Sequence, residues 1–412
     1  MAYGDSPDDE ALRTAWQLFC QRVFAAGERA FKDHNPGAPL HRADAFRFLT
    51  QNLGQAFDLA LETKDTKYPG LHAFCGPHRK LGGDAADLLY LQAWIDGESV
   101  YKLSGSKGTA RFLNITVQGP RPDKIPGTDA PSLHEPFGDI PEANLFGHQL
   151  QTDADGNFEL YIGGPRREGN WLPTTPGSRK LFLRQGFDRW DELAASLRIE
   201  RVDMREPPPL PTPQTMLAAM EWAGQFVTGL MNDWPDHSYQ YAGKVVDPHQ
   251  VNRFPSDPAA DAGDQKRGRA VAHLCWQLAV DEALIVEFDH HDGFWMLSNN
   301  GVFFNSMDYL YRPVSYTPSR TKVDRDGKVR LILCHDDPGF HNWVDTQQFE
   351  RGNLTYRSLL SSSSTTFGTR LVKRSLLASA LPSDTATVTP EQRVAQLHER
   401  FRAIRRRYGL MT

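Results

Sequence analysis

Apolar residues recur at helical spacing near the start of the chain. Leu12, Trp16, Phe19 and Val23 follow at intervals of four, three and four, one face of a 3.6-residue period. Asn35-Pro36-Gly37 supplies the stop. A second helix is expected from about Asp44 to Glu62, with Phe46, Leu49, Leu53, Phe57 and Leu61 on its apolar stripe. From Leu88 the period falls to two. Leu91, Ala93 and Ile95 alternate with Gln92 and Trp94, Asp96-Gly97 reads as a hairpin turn, and Tyr101 and Leu103 alternate with Val100, Lys102 and Ser104. Residues 119–147, rich in Pro, Gly and Asp, form a long excursion of the kind that often serves function or an interface. Pro207-Pro208-Pro209, Pro211 and Pro213 mark a linker, and Thr212 caps the helix after it. Strands resume near Val271, Ser361 to Ser364 form a loop, and Thr389-Pro390-Glu391-Gln392 opens a last helix as a capping box.

The two strand-rich segments resemble each other. Asp153-Ala154-Asp155-Gly156, Asn170-Trp171-Leu172-Pro173-Thr174 and Arg184 return as Asp324-Arg325-Asp326-Gly327, Asn342-Trp343-Val344-Asp345-Thr346 and Arg357, at offsets of 171 to 173. Asp96-Gly97 with Tyr101 pairs with Asp292-Gly293 with Trp295 at an offset near 195, which an insertion in the first copy would explain. The expected fold is mostly β with peripheral helices. An N-terminal helical segment (1–84) precedes a first jelly-roll or β-sandwich domain (85–206). A linker with a helix (207–270), a second such domain (271–375) and a C-terminal helical tail (376–412) complete the chain.

Composition narrows the function classes. A net charge of −5 over 412 residues gives no footprint for nucleic acid. The one basic cluster, Arg400, Arg402, Arg405, Arg406 and Arg407, suits the solvated C-terminal end of a helix. No apolar run spans a membrane and no basic, apolar leader opens the chain. Four scattered cysteines read as free thiols, so a cytoplasmic location is expected.

The ordered motifs Asp281 to Glu287, Ser306-Met307-Asp308-Tyr309, Asp326-Gly327 and Asp336-Asp337-Pro338-Gly339, with Asn342 to Thr346, resemble a bacterial family catalogued as domain of unknown function 1214. The first half, through Tyr101, Gly105, Asn170-Trp171-Leu172 and Arg184, looks like a divergent copy of the same pattern. The resemblance implies β-sandwich or jelly-roll domains and a tendency to oligomerise, and it implies no agreed chemistry. His341 departs from the pattern, where relatives carry a small or apolar residue before the asparagine.

The second half collects the denser polar set. Two carboxylates in one cleft divide into acid and base when their surroundings separate their pKa values. Asp345, which replaces Pro173 of the first copy, is the expected base, Asp337 or Glu282 the acid, Arg357 the charge stabiliser, and His341 a substitute for either role. Trp295, Trp343, Asn342 and Asp308 would hold a small hydroxylated or glycoside-like substrate, with no cofactor and no metal. The bland reading makes Trp171 and Trp343 buried anchors and Asn170 and Asn342 ties to backbone amides. Asp289-His290-His291-Asp292 looks metal-like, but adjacent strand residues face opposite ways and the segment reads as a hairpin tip. Gly105-Ser106-Lys107-Gly108-Thr109 reads as a turn, and dinucleotide, zincin and hydrolase-elbow motifs are missing. The alternative is a non-catalytic ligand-binding or oligomeric scaffold protein, without nucleic acid or membrane as partner.

Overall fold

The computed structural model describes residues 6–32, 35–121, 139–241, 251–254, 269–360 and 365–410. Most of the proline-rich excursion and Ser361 to Ser364 lie outside them. Helices α1 (Asp9–Glu28) and α2 (Pro39–Phe57) open the chain. The second begins five residues before the expected Asp44, because Pro39 at its first turn has a preset φ and no amide to satisfy.

The first sandwich contains β1 (Leu88–Trp94), β2 (Tyr101–Ser106), β3 (Phe112–Gly119), β4 (Ile140–Phe146), β5 (Asn157–Ile162), β6 (Asn170–Leu172), β7 (Lys180–Gly186) and β8 (Ser196–Arg201). Its sheets have the orders β1-β7-β3-β4 and β6-β5-β2-β8. After α3 (Pro213–Tyr241) come β9 (Arg269–Gln277), β10 (Glu282–Asp289), β11 (Phe294–Asn300), β12 (Ser315–Tyr316), β13 (Lys328–Cys334), β14 (Trp343–Asp345), β15 (Arg351–Leu359) and β16 (Gly368–Lys373). Their sheets, β12-β11-β15-β9 and β14-β13-β10-β16, repeat the first pair strand for strand. Even the parallel pairs β5–β6 and β13–β14 recur. The chain closes with α4 (Pro390–Arg407), whose Thr389 and Gln392 make the expected capping box.

Pairing corrects the reading of the two Asp-Gly steps. Asp96-Gly97 joins β1 to β2, and Asp292-Gly293 joins β10 to β11, yet in each case the strands lie in different sheets. Both steps are crossovers between layers. Gly97 is needed because a Cβ there would overlap the Thr175 carbonyl oxygen at 1.8 Å. Nor are the two steps equivalent. Strand register matches Phe112 with Phe294, 182 positions on, since each starts the pairing with β7 or β15. The upstream offset is therefore 182, not 195, and the extra length of the first copy is about ten residues. The excursion also contains β4. The Asp-x-Asp-Gly steps are tight turns, with Gly156 and Gly327 at φ 80° and 81°.

Each sandwich has its own apolar core. Leu103, Ile115, Leu160 and Leu183 fill the first, and Trp276, Trp295, Leu331 and Tyr356 fill the second. A third core joins them. The outward residues Leu88, Tyr90 and Trp94 of one sheet and Phe294, Met296 and Leu359 of the other pack with α1, α2 and α3. This explains why β1, read as alternating, is buried on both faces. The outer face of β14-β13-β10-β16 is covered by Leu377 and Leu381 of the tail.

Candidate functional site

The repeated Asn-Trp pairs tie backbone together. The Asn170 side-chain amide donates to the Gln151 and Glu159 carbonyls and its oxygen accepts from the Gln151 amide. Asn342 does the same with Lys322 and Arg330. The indoles of Trp171 and Trp343 donate to the carbonyls of Gly163 and Cys334. These are clamps on the strand, although Trp171 is only half-buried.

The other expected site residues do not gather. Trp295 lies at 0 % exposure in the second core. Glu282 accepts from the Ala279 amide and sits 3.4 Å from Lys373. Asp337 accepts from the Gly339 amide and pairs with Arg393 at 2.9 Å. Asp345 is buried, accepting from Arg312 and from the Gln347 amide, and burial raises its pKa above the ordinary value. Asp308 accepts from the Leu310 amide while its carbonyl accepts from Gln347. Arg357 projects from the other sheet, donating to the Gly83 carbonyl and at 3.4 Å to Ser298. Each carboxylate of the expected acid–base set has its own local or basic partner. His290 and His291 also stand on a crossover, where His291 Nε2 lies 2.8 Å from the Tyr356 hydroxyl.

Of the expected catalytic residues, His341 lines a cavity of about 380 Å³ that the others do not reach. It is bounded by the Arg189-Trp190-Asp191 loop of the first sandwich and by Ser315, Tyr316, Ser319, Arg320 and Lys322 of the second. Gln396, Glu399 and Arg400 of α4 close its third side. Two sandwiches and a terminal helix thus meet there. The Tyr316 hydroxyl, within reach of the His341 and Trp343 carbonyls, anchors the wall. Burial, then Lys322 and Arg393, hold the His341 imidazole below its ordinary pKa, so it is neutral at pH 7.

The floor is electropositive. Arg320 and Arg400 lie over the Trp190 ring at 4.0 and 5.1 Å. Arg320 donates to the Asp188 carbonyl and to Thr317, and reaches Asp87 at 2.7 Å. Arg400 donates to the hydroxyl and carbonyl of Ser315. Arg407 donates to the Ala86 carbonyl and stands 4.0 Å from Asp87. Asp87 is 1 % exposed. Burial pushes its pKa up, but Arg320, Arg407 and Arg400 outweigh burial and leave it below the ordinary value. The reverse holds for Arg400, which burial and Arg320 bring down to about 10. One carboxylate therefore faces three guanidinium groups.

Arg400 and Arg407 correct the expectation of a solvated basic end, while Arg402 and Arg406 are exposed as expected. Arg393, Arg400 and Arg407 are all buried, and their spacing of seven puts them on one face of α4. That period was the available signal. Trp190, Tyr316 and Arg320 offered none, because they come from three separate segments.

Residues 91–185 match the family described as protein of unknown function (DUF1214). The match falls on the first sandwich, the copy that the ordered motifs mark as the more divergent. The chain is similar to a solved, uncharacterised protein from Burkholderia cenocepacia, at 28 % identity and a TM-score of 0.78, covering 88 % of this chain and 97 % of that one. A solved protein from Vibrio parahaemolyticus is more distant, at 12 % identity and a TM-score of 0.43, covering 85 % of this chain and all of that one. No curated protein matches the sequence.

Proposed function

We propose that this chain of the DUF1214 family, whose function is unknown, binds a small anionic molecule in the cavity between Trp190, Tyr316 and α4. The observation behind this reading is the excess of buried positive charge, three arginines around the single carboxylate of Asp87. Unpaired charge in a low-dielectric setting is costly, and an anion at the cavity floor offsets it. Arginine favours carboxylate and phosphate oxygens. The Trp190 and Tyr316 walls accept a flat or hydroxylated body, and Ser319 and Lys322 offer further donors. A sugar phosphate or a hydroxylated carboxylic acid combines these features.

The test is the melting temperature of purified protein against phosphate, citrate, sugar phosphates and the uncharged sugars. An anion that binds only the folded state raises it by mass action. The expected result is a rise with one anion class, absent with its neutral analogue and reduced in Lys322→Ala. Equal shifts from neutral sugars, or none from any anion, would remove the reading.

Turnover is the second reading, favoured by the neutral imidazole of His341 on the same wall. His341 would be the general base, and Glu399, which lines the same cavity, would take the place of Asp345 as the carboxylate. His341→Gln should then keep anion binding and lose any conversion of the bound compound.

A further inference from the structure

The outer surface of the helical layer carries an apolar face unlike the rest of the described surface. On α1, Trp16 is 55 % and Phe24 73 % exposed, with the exposed Cys20 between them at helical spacing. Phe31, just beyond α1, and Phe46 of α2 continue the face, 52 % and 40 % exposed, with their rings 5.8 Å apart. Phe46 also packs 3.6 Å from the position of a Cβ on Gly27, so the two helices present one surface. Single exposed apolar residues are ordinary, but four large aromatic rings on adjoining helices mark an interaction surface.

We infer that this face binds a second copy of the chain, with the two α1 helices antiparallel about a two-fold axis beside Cys20. The charges argue for this partner. Arg13 lies seven residues before Cys20 and Glu28 eight residues after it, both exposed. Antiparallel pairing about Cys20 therefore sets each Arg13 near the partner's Glu28, at both ends of the contact. It also sets Trp16 against the partner's Phe24, and the reciprocal pair arises from symmetry. An isologous interface needs such self-complementarity. One 20-residue helix, about 30 Å long, supplies only part of the roughly 800 Å² a stable partner surface requires. Phe31 and Phe46 supply the flank. The contact lies on the helical layer and is independent of the anion cavity.

Light scattering and oxidative cross-linking of the full chain test it. The wild type should have twice the 46.4 kDa mass of one chain. Mild oxidation should link two copies through Cys20, and Cys20→Ser should abolish the link. Phe24→Asp should give a monomer with an unchanged melting temperature at low protein concentration, since the side chain packs against so little of its own chain. A monomer at every concentration overturns the inference, as does a dimer that survives Phe24→Asp and yields no Cys20 link.

Discussion

The two sandwiches have the same eight-strand plan and differ in what covers them. In the second, Leu377 and Leu381 cover the outer face of β14-β13-β10-β16, and α4 runs from Asp337 to Asp87 along its edge. In the first, the equivalent sheet is open, a polar groove lined by Ser104, Glu159, Tyr161 and Arg198. Equivalent positions differ accordingly. Tyr161 is half-exposed, whereas Ile332, which holds the same place beside the repeated tryptophan, is fully buried. Duplication supplied the scaffold twice, and only one copy gained a covering element with buried arginines. A cavity arose where that element meets both copies.

The largest effect expected from breaking this asymmetry is at Asp87. Asp87→Asn leaves three buried guanidinium groups without their carboxylate and should cost about 3–5 kcal/mol in urea unfolding. A saturating anion should recover part of it. The same residue sets a pH dependence. Its folded pKa is below the ordinary 3.8, so its contribution is complete above that value and is lost as pH falls through the lower, folded one. The stability of Asp87→Asn should therefore fall less steeply than that of the wild type in this acid range. An identical slope would show that Asp87 does not feel the arginines.

The covering segment gives the next contrast. Ile332→Ala should cost about 2–4 kcal/mol by opening a cavity under the tail. Tyr161→Ala, at the matching place on the open sheet, should stay within about 1 kcal/mol. Equal losses in thermal unfolding would mean that the tail adds nothing to the packing. The Asn clamps give the smallest contrast. Asn342→Ala strands buried backbone groups and should cost about 2 kcal/mol, against about 1 kcal/mol or less for the more exposed Asn170→Ala.

The duplication was legible because its motif is local. Asn, Trp and the Asp-Gly turn each satisfy groups close in sequence, so their spacing survives in both copies. The crossovers were not legible, since Asp-Gly marks a sharp change of direction whether the next strand pairs in the same sheet or in the facing one. The partners of the expected site residues were not legible for a related reason. Asp337 and Glu282 look available along the chain, but Arg393 and Lys373, 56 and 91 positions away, occupy them. A cluster of carboxylates in sequence says little about their partners in space. The buried arginines hid in a segment whose charge suggested solvent, where their interval of seven was more informative than their number.

The position of α4 also bears on how the molecule is made. The ribosome releases every strand of both sandwiches before Arg400 and Arg407 appear, and the bond from Arg407 to the Ala86 carbonyl spans 321 positions. Until then the carboxylate of Asp87 has at most Arg320 as a basic partner among these three. Docking of α4, which follows every described strand, therefore closes a largely assembled body, and contacts so distant in sequence form slowly. A nascent chain stalled before α4 would leave the Trp190 loop without Arg400 and Arg406, two of its three arginine partners, and the cavity without its third wall.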